Sequence, residues 1–216
     1  MKPLVIYGAG GVGRAILQFV DDINDIAPTW AVQGFIDDRS DLHKQIINGV
    51  PVLGGAEWFS SQHEAVHVVI AVADCQIRGS LVEMLADQAH VSLPTIVHPK
   101  AWIASSARLE RGCIVYPGVL VDPDVSIGTG TILNKAVTVG HDTVIQDCVT
   151  IAPGVNVGGN VHLGGRCNVG MGASIIQQVQ IGASTVIGAG AVVVKDLPTQ
   201  VTAVGVPAQV IKHHKK

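Results

Sequence analysis

The chain has 216 residues, 48% of them hydrophobic and 14% charged, with a formal net charge of −3. That length allows one or two domains with a substantial core, and the slightly acidic balance, without a basic stripe, argues against a nucleic-acid surface. No signal peptide precedes the first apolar run and no run reaches the length of a membrane span. We therefore expect a cytoplasmic protein, disordered only at the terminal His213-His214-Lys215-Lys216.

Lys2 to Tyr7 reads as a short apolar strand, followed by the loop Gly8-Ala9-Gly10-Gly11-Val12-Gly13 and a helix over residues 14–20. A second strand over 31–36 ends at Asp37-Asp38. A third over 66–72 ends at Ala73-Asp74-Cys75-Gln76, and 77–89 reads as a helix. Strands alternating with helices predict a Rossmann-like α/β domain, which we place at residues 1–95. Ligands of such sheets bind beyond the carboxyl ends of the strands, where these three segments converge. Glycines 8, 10 and 13 formally match the dinucleotide fingerprint, with Asp37 at the ribose-binding position. Glycines let a phosphate approach the backbone, and the helix N-terminus that follows favours anions. A nicotinamide cofactor, another nucleotide diphosphate and a purely structural glycine turn all fit this loop. Residues 93–102, with Pro94 and Pro99, read as a connection.

From Ile103 to Val193 every sixth residue is aliphatic, without a skip. A lane two residues earlier is small, from Ala107 and Cys113 to Thr185 and Ala191. This is the hexapeptide period of a parallel β-helix, which we place at residues 96–216. Each hexad supplies one strand of a triangular prism, and three hexads make an 18-residue coil. Both lanes point inward, and the coils bury a continuous core by stacking. Glycines 128, 140, 158, 164, 170, 182 and 188 are expected at corners that need unusual backbone angles.

His141-Asp142 is the sharpest candidate for chemistry. It falls at a corner, one residue after Gly140, with Pro123 and Gly159 one coil below and above. Gly159 would let a ligand approach the backbone beside the imidazole. Histidine titrates near physiological pH, and a neighbouring carboxylate raises its basicity. From spacing alone, a solvated corner histidine fits as well. His43, His63, His67, His90, His98 and His162 lack partner motifs and read as surface or packing residues. Cys75, Cys113, Cys148 and Cys167 show no metal spacing, and Cys113 and Cys167 fall in the inward lane as core filler. No metal is expected.

Tyr7-Gly8-Ala9-Gly10-Gly11, Phe35-Ile36-Asp37-Asp38, the hexapeptide repeat and Gly140-His141-Asp142 occur together here. Lys195-Asp196-Leu197-Pro198 and Gly205-Val206-Pro207-Ala208 close the chain. The whole resembles the bacterial nucleotide-sugar N-acetyltransferases and sialic acid O-acetyltransferases of the left-handed β-helix type. The resemblance implies His141 as catalytic base and Asp142 as the acid that raises its basicity. It implies a sugar-nucleotide site at Gly10, Gly11, Val12, Asp37, Asp38, Ala73 and Asp74. Acetyl-CoA as co-substrate would lie along the β-helix wall beside Thr150, Gly159, Met171 and Ala189, between the subunits of a homotrimer. Many relatives carry glutamate where Asp142 stands, a second histidine at Thr150, and glycine at Ala73. The implied reaction is acetyl transfer to the amine of a UDP- or dTDP-linked 4-amino-4,6-dideoxy sugar. O-acetylation of sialic acid or another sugar hydroxyl, a non-catalytic nucleotide-binding scaffold, and a nicotinamide oxidoreductase are the alternatives.

Overall fold

The computed structural model describes residues 1–62 and 64–214, so His63, Lys215 and Lys216, on which expectations were placed above, lie outside the described residues. The chain divides into two compact units: residues 1–73 with 80–94, and residues 74–79 with everything from Thr95 onward.

The first unit is built on β1 (Lys2–Tyr7), α1 (Gly11–Ile26), β2 (Trp30–Ile36), β3 (Ile46–Ile47), β4 (Val50–Gly54) and β5 (Val66–Ile70). The helix α2 (Cys75–Ala86), whose residues up to Gly79 belong to the second unit, and β6 (Val91–Ser92) follow. The sheet runs β3-β4-β2-β1-β5-β6 and is parallel except for the β3/β4 pair. Leu4, Val5 and Ile6 of β1 are wholly buried, as a continuous apolar strand in the middle of a parallel sheet should be. α1 buries Ile16, Phe19 and Val20 on one side and runs on to Ile26, six residues past the sequence expectation. It stops at Ala27, which is extended because Pro28 follows and disfavours helical angles before it. The β3/β4 hairpin turns at Asn48-Gly49, both with positive φ, the pairing that suits a tight two-residue turn.

The second unit is a parallel β-helix of two-residue strands on three faces, each pairing with the strand 18 residues on. The first face runs from Ile96–Val97 to Val186–Ile187. The second runs from Trp102–Ile103 to Val192–Val193, and the third from Arg108–Leu109 to Gln180–Ile181. The aliphatic lane is buried from Val115 on and the small lane from Cys113 on. The coils begin at Ile96, inside the expected connection, because Val97 continues the six-residue register by one hexad. An antiparallel pair, Val201–Val204 with Gln209–His213, extends the first face. His213 lies in this pair, and the His214 N–H donates to Gln200 O at 2.8 Å.

The lane of glycines after the aliphatic residue also has a different cause from the one expected. The left-handed angles fall two residues later, at Asp124, Ala136, Asp142, Cys148, Asn160, Arg166, Gln178 and Ser184 among others. At Gly140 a Cβ would lie 2.6 Å from Gly159 N and 2.7 Å from the Gly158 carbonyl carbon. Close stacking of the next coil demands glycine there.

All four cysteines are free and buried, and burial pushes the Cys113 thiol up to about 12 and that of Cys167 to about 11. A thiol reagent at pH 8 should therefore find almost no reactive sulfur in the native protein and four after denaturation. Rapid native labelling would mean that the coils open.

Candidate active site

His141 and Asp142 occupy the turn between Thr138–Val139 on the second face and Val144–Ile145 on the third. Asp142 adopts φ 58°, and its N–H donates to Pro123 O on the coil below at 3.2 Å. On the other side, the Asn160 N–H donates to His141 O at 2.8 Å. The turn is thus clamped between two coils. That clamp carries the carboxylate back to the ring, with Asp142 Oδ2 2.8 Å from His141 Nδ1. In the neutral imidazole this contact places the proton on Nδ1 and leaves the lone pair on Nε2. The pair is open to solvent, with side-chain exposures of 61% and 55%. A group outside the protein can reach it.

Gly159 faces the ring. A Cβ there would lie 2.8 Å from His141 Nε2 and 2.9 Å from Cε1. The space expected for a ligand is thus taken in part by the imidazole itself. Replacing Gly159 with leucine should displace His141 as well as any neighbouring ligand. We expect a fall in kcat together with a rise in the KM for acetyl-CoA; unchanged values of both would remove Gly159 from the site.

The other residues assigned to acetyl-CoA are spread differently. Met171 and Ala189 stack on the corner between the first and second faces, where the Gly190 N–H donates to Met171 O at 2.8 Å. Both are exposed. Thr150 lies on the first face and is only 8% exposed, because its hydroxyl accepts a 2.8 Å hydrogen bond from Arg78. Arg78 comes from the first turn of α2 and is wholly buried. Its Nε donates to Gly130 O at 2.6 Å and its Nη2 to Cys148 O at 2.8 Å. Desolvation lowers its affinity for the proton. The sequence reading placed this residue merely within a helix and missed its role.

In the first unit, α1 begins at Gly10 with no side-chain cap and no acid in its first turn. A Cβ at Gly10 or Gly11 would meet nothing within 4 Å, so the backbone there is open, while Val12 is half-buried. Gly8 and Gly13 are different: a Cβ on either would run into backbone, at Ala71 O and Gly8 O respectively. Asp37 is buried and reaches this loop, accepting the Ala9 N–H at 2.9 Å. The Arg39 guanidinium beside it, held by two 2.8 Å bonds, keeps its carboxyl down at about 2. Asp38 instead accepts the Tyr7 hydroxyl at 2.8 Å and the Ala56 N–H at 3.0 Å. Asp74 Oδ1 accepts the N–H groups of Gln76 and Ile77, each at 2.9 Å, and so caps α2; Ala73 is exposed. His43 Nε2 lies 2.9 Å from Asp37 O, and His67 meets the Trp30 ring edge-on, which accounts for both as packing residues.

The depressed value of Asp37 fixes the sign of a pH effect. Its contribution to stability is complete above about pH 4 and is lost as pH falls toward 2. Thermal melts should show the advantage of wild type over Asp37→Asn vanishing across that window. A gap independent of pH would contradict the assignment.

Among the described residues, no group of three or more His, Cys, Asp or Glu side chains is placed to hold a metal ion. No helix among them is long and apolar enough to cross a membrane.

The PglD N-terminal domain family matches residues 3–85. No curated protein matches the chain at a significant level. Among solved structures, the chain is similar to perosamine N-acetyltransferase from Caulobacter crescentus. The identity is 31%, 98% of each chain is covered and the TM-score is 0.89. That structure is of a variant with a histidine replaced by asparagine, in complex with CoA and GDP-perosamine. The acetyltransferase domain of PglB from Neisseria gonorrhoeae is 30% identical, with 98% of this chain and all of that one covered and a TM-score of 0.89. WeeI from Acinetobacter baumannii is 29% identical over 98% of this chain and 100% of its own, with a TM-score of 0.87. The chain belongs to the bacterial sugar N-acetyltransferases built on a left-handed parallel β-helix, which are acetyl-CoA-dependent enzymes.

Proposed function

We propose that this protein moves the acetyl group of acetyl-CoA to the amine of a nucleotide-linked amino sugar, with His141 as general base. The observation that carries the reading is the exposed His141–Asp142 pair, oriented through a 2.8 Å contact that leaves Nε2 to face the reactants. The sugar nitrogen attacks the thioester carbonyl and forms the C–N bond. His141 Nε2 takes a proton from that nitrogen, and Asp142 stabilises the imidazolium. The tetrahedral intermediate collapses with cleavage of the C–S bond, and CoA leaves as its thiol after receiving a proton from the imidazolium. The Gly159 N–H, which makes no hydrogen bond within the described chain, is our candidate donor to the oxyanion.

Several observations support this reading. The Caulobacter relative holds CoA and GDP-perosamine in variants with a histidine replaced, and the Neisseria domain holds acetyl coenzyme A. In our reading the sugar nucleotide occupies the loop at Gly10, Gly11 and Val12, and acetyl-CoA lies along the corner carrying Met171 and Ala189. The working form is a cytoplasmic homotrimer whose sites are shared between subunits. GDP joins UDP and dTDP as a carrier to be tested, since a relative binds a GDP sugar.

Thiol release from acetyl-CoA against GDP-, UDP- and dTDP-linked 4-amino sugars, with sialic acid as the hydroxyl control, tests the proposal. Turnover with an amino sugar alone is the expected result. Turnover with sialic acid alone would replace it with O-acetylation.

A further inference from the structure

Asp37 stands where the fingerprint calls for an acid that binds ribose, yet its carboxylate has no lone pair to offer. Oδ1 accepts the Arg39 N–H at 3.1 Å and Arg39 Nε at 2.8 Å. Oδ2 accepts the Ala9 N–H at 2.9 Å and Arg39 Nη2 at 2.8 Å. A carboxylate has about four acceptor sites, and all are filled. What faces outward at this end of β2 is therefore the guanidinium, whose side chain is 59% exposed. Its Nε and Nη2 are committed to Asp37, and its Nη1 makes no hydrogen bond among the described residues.

The guanidinium also lies close to the glycine loop. Ala9 N and Arg39 Nη2 share Oδ2, so the guanidinium lies no more than about 6 Å from the amide that opens the glycine loop. Beyond that amide, Gly10 and Gly11 expose open backbone, and α1 starts without a capping side chain or an acid. Amides at a helix start and a planar cation with three uncommitted N–H donors are both suited to phosphate oxygens.

Building on the nucleotide-sugar reading above, we infer that Arg39, oriented by Asp37, grips the diphosphate of the nucleotide sugar. Asp37 then acts as a positioning residue that never touches the ligand. The guanidinium sits on a rigid anchor because Asp37 is buried and tied to the loop it serves. Arg39 thereby supplies affinity for the diphosphate independently of the base. The same site should hold nucleoside diphosphates much more tightly than nucleosides.

The test is calorimetric titration of the full chain with GDP, UDP and dTDP and with the matching nucleosides. Wild type should bind at least one diphosphate measurably and its nucleoside weakly. Arg39→Gln should lose about tenfold or more of the diphosphate affinity, leave the nucleoside unchanged and leave acetyl-CoA binding unchanged. Arg39→Lys should recover only part, since lysine keeps the charge without the fork. Asp37→Asn should mimic Arg39→Gln, and the double variant should be no worse than either single one, because both act through one contact. Undiminished diphosphate binding by Arg39→Gln would overturn the assignment while leaving the acetyltransferase reading intact. Additive losses in the double variant would give Asp37 a ligand contact of its own and overturn its positioning role. Failure of wild type to bind any of the three diphosphates would overturn both the assignment and the nucleotide-sugar reading beneath it.

Discussion

Replacing His141 with alanine is expected to lower kcat by about 10²-fold or more, the usual scale for loss of a general base. The side chain is 61% exposed, and the coil is held by backbone bonds on both sides of it. Thermal stability should therefore stay within about 0.5 kcal/mol of wild type, as for most surface substitutions. The KM for acetyl-CoA should change little, because the lost interaction forms as the proton moves and not on binding. Steady-state kinetics with a fixed acceptor separates these parameters. A variant with near-normal kcat would remove His141 from the mechanism; one with normal kcat and a raised KM would make it a binding residue. Asp142→Asn should give a smaller loss, since the ring keeps Nε2 but loses its negative partner.

Arg78→Ala is expected to cost about 3 kcal/mol or more in unfolding free energy. The guanidinium is completely buried, and its removal strips donors from Gly130 O, Cys148 O and Thr150 Oγ1. Each buried acceptor left without a partner costs about 1–3 kcal/mol, and the cavity adds to this. Arg78→Met should recover part of the loss by refilling volume without restoring the donors to Gly130 O and Cys148 O. Urea denaturation of the three proteins checks the order. A loss under 1 kcal/mol for the alanine variant would mean that the first turn of α2 does not depend on this anchor. Because Thr150 is held by Arg78, the same substitution should also expose the Thr150 hydroxyl, altering the first face at a position assigned to acetyl-CoA.

The β-helix was legible in the sequence because its inward lanes repeat every six residues and each strand pairs 18 residues away, so one local pattern states the whole register. His141-Asp142 was legible for the same reason, since position in the repeat assigns a corner. Arg78 was not legible: Gly130 and Thr150, which it binds, lie 52 and 72 residues distant, and nothing in residues 77–89 distinguishes it from a solvated helix cation. Thr150 followed Arg78 into burial. The Asn48-Gly49 hairpin was present as a local signal but fell between the strands the alternating pattern emphasised. Asp37 illustrates a subtler gap. The acid at the end of β2 was visible, but whether its oxygens face a ligand or are filled depends on Arg39 folding back two residues later. The glycine lane was located correctly and explained wrongly, because stacking distance between coils has no signature in a single hexad.

In the proposed reaction the acetyl group ends on a sugar nitrogen. The most direct measurement is product analysis after turnover with the best amino-sugar nucleotide, counting CoA thiol released against acetyl gained and treating the product with hydroxylamine. One thiol per acetyl group is expected, with a product that hydroxylamine leaves intact, as an amide must be. Thiol release without acetylated sugar, or an acetyl group that hydroxylamine removes as an ester, would contradict it.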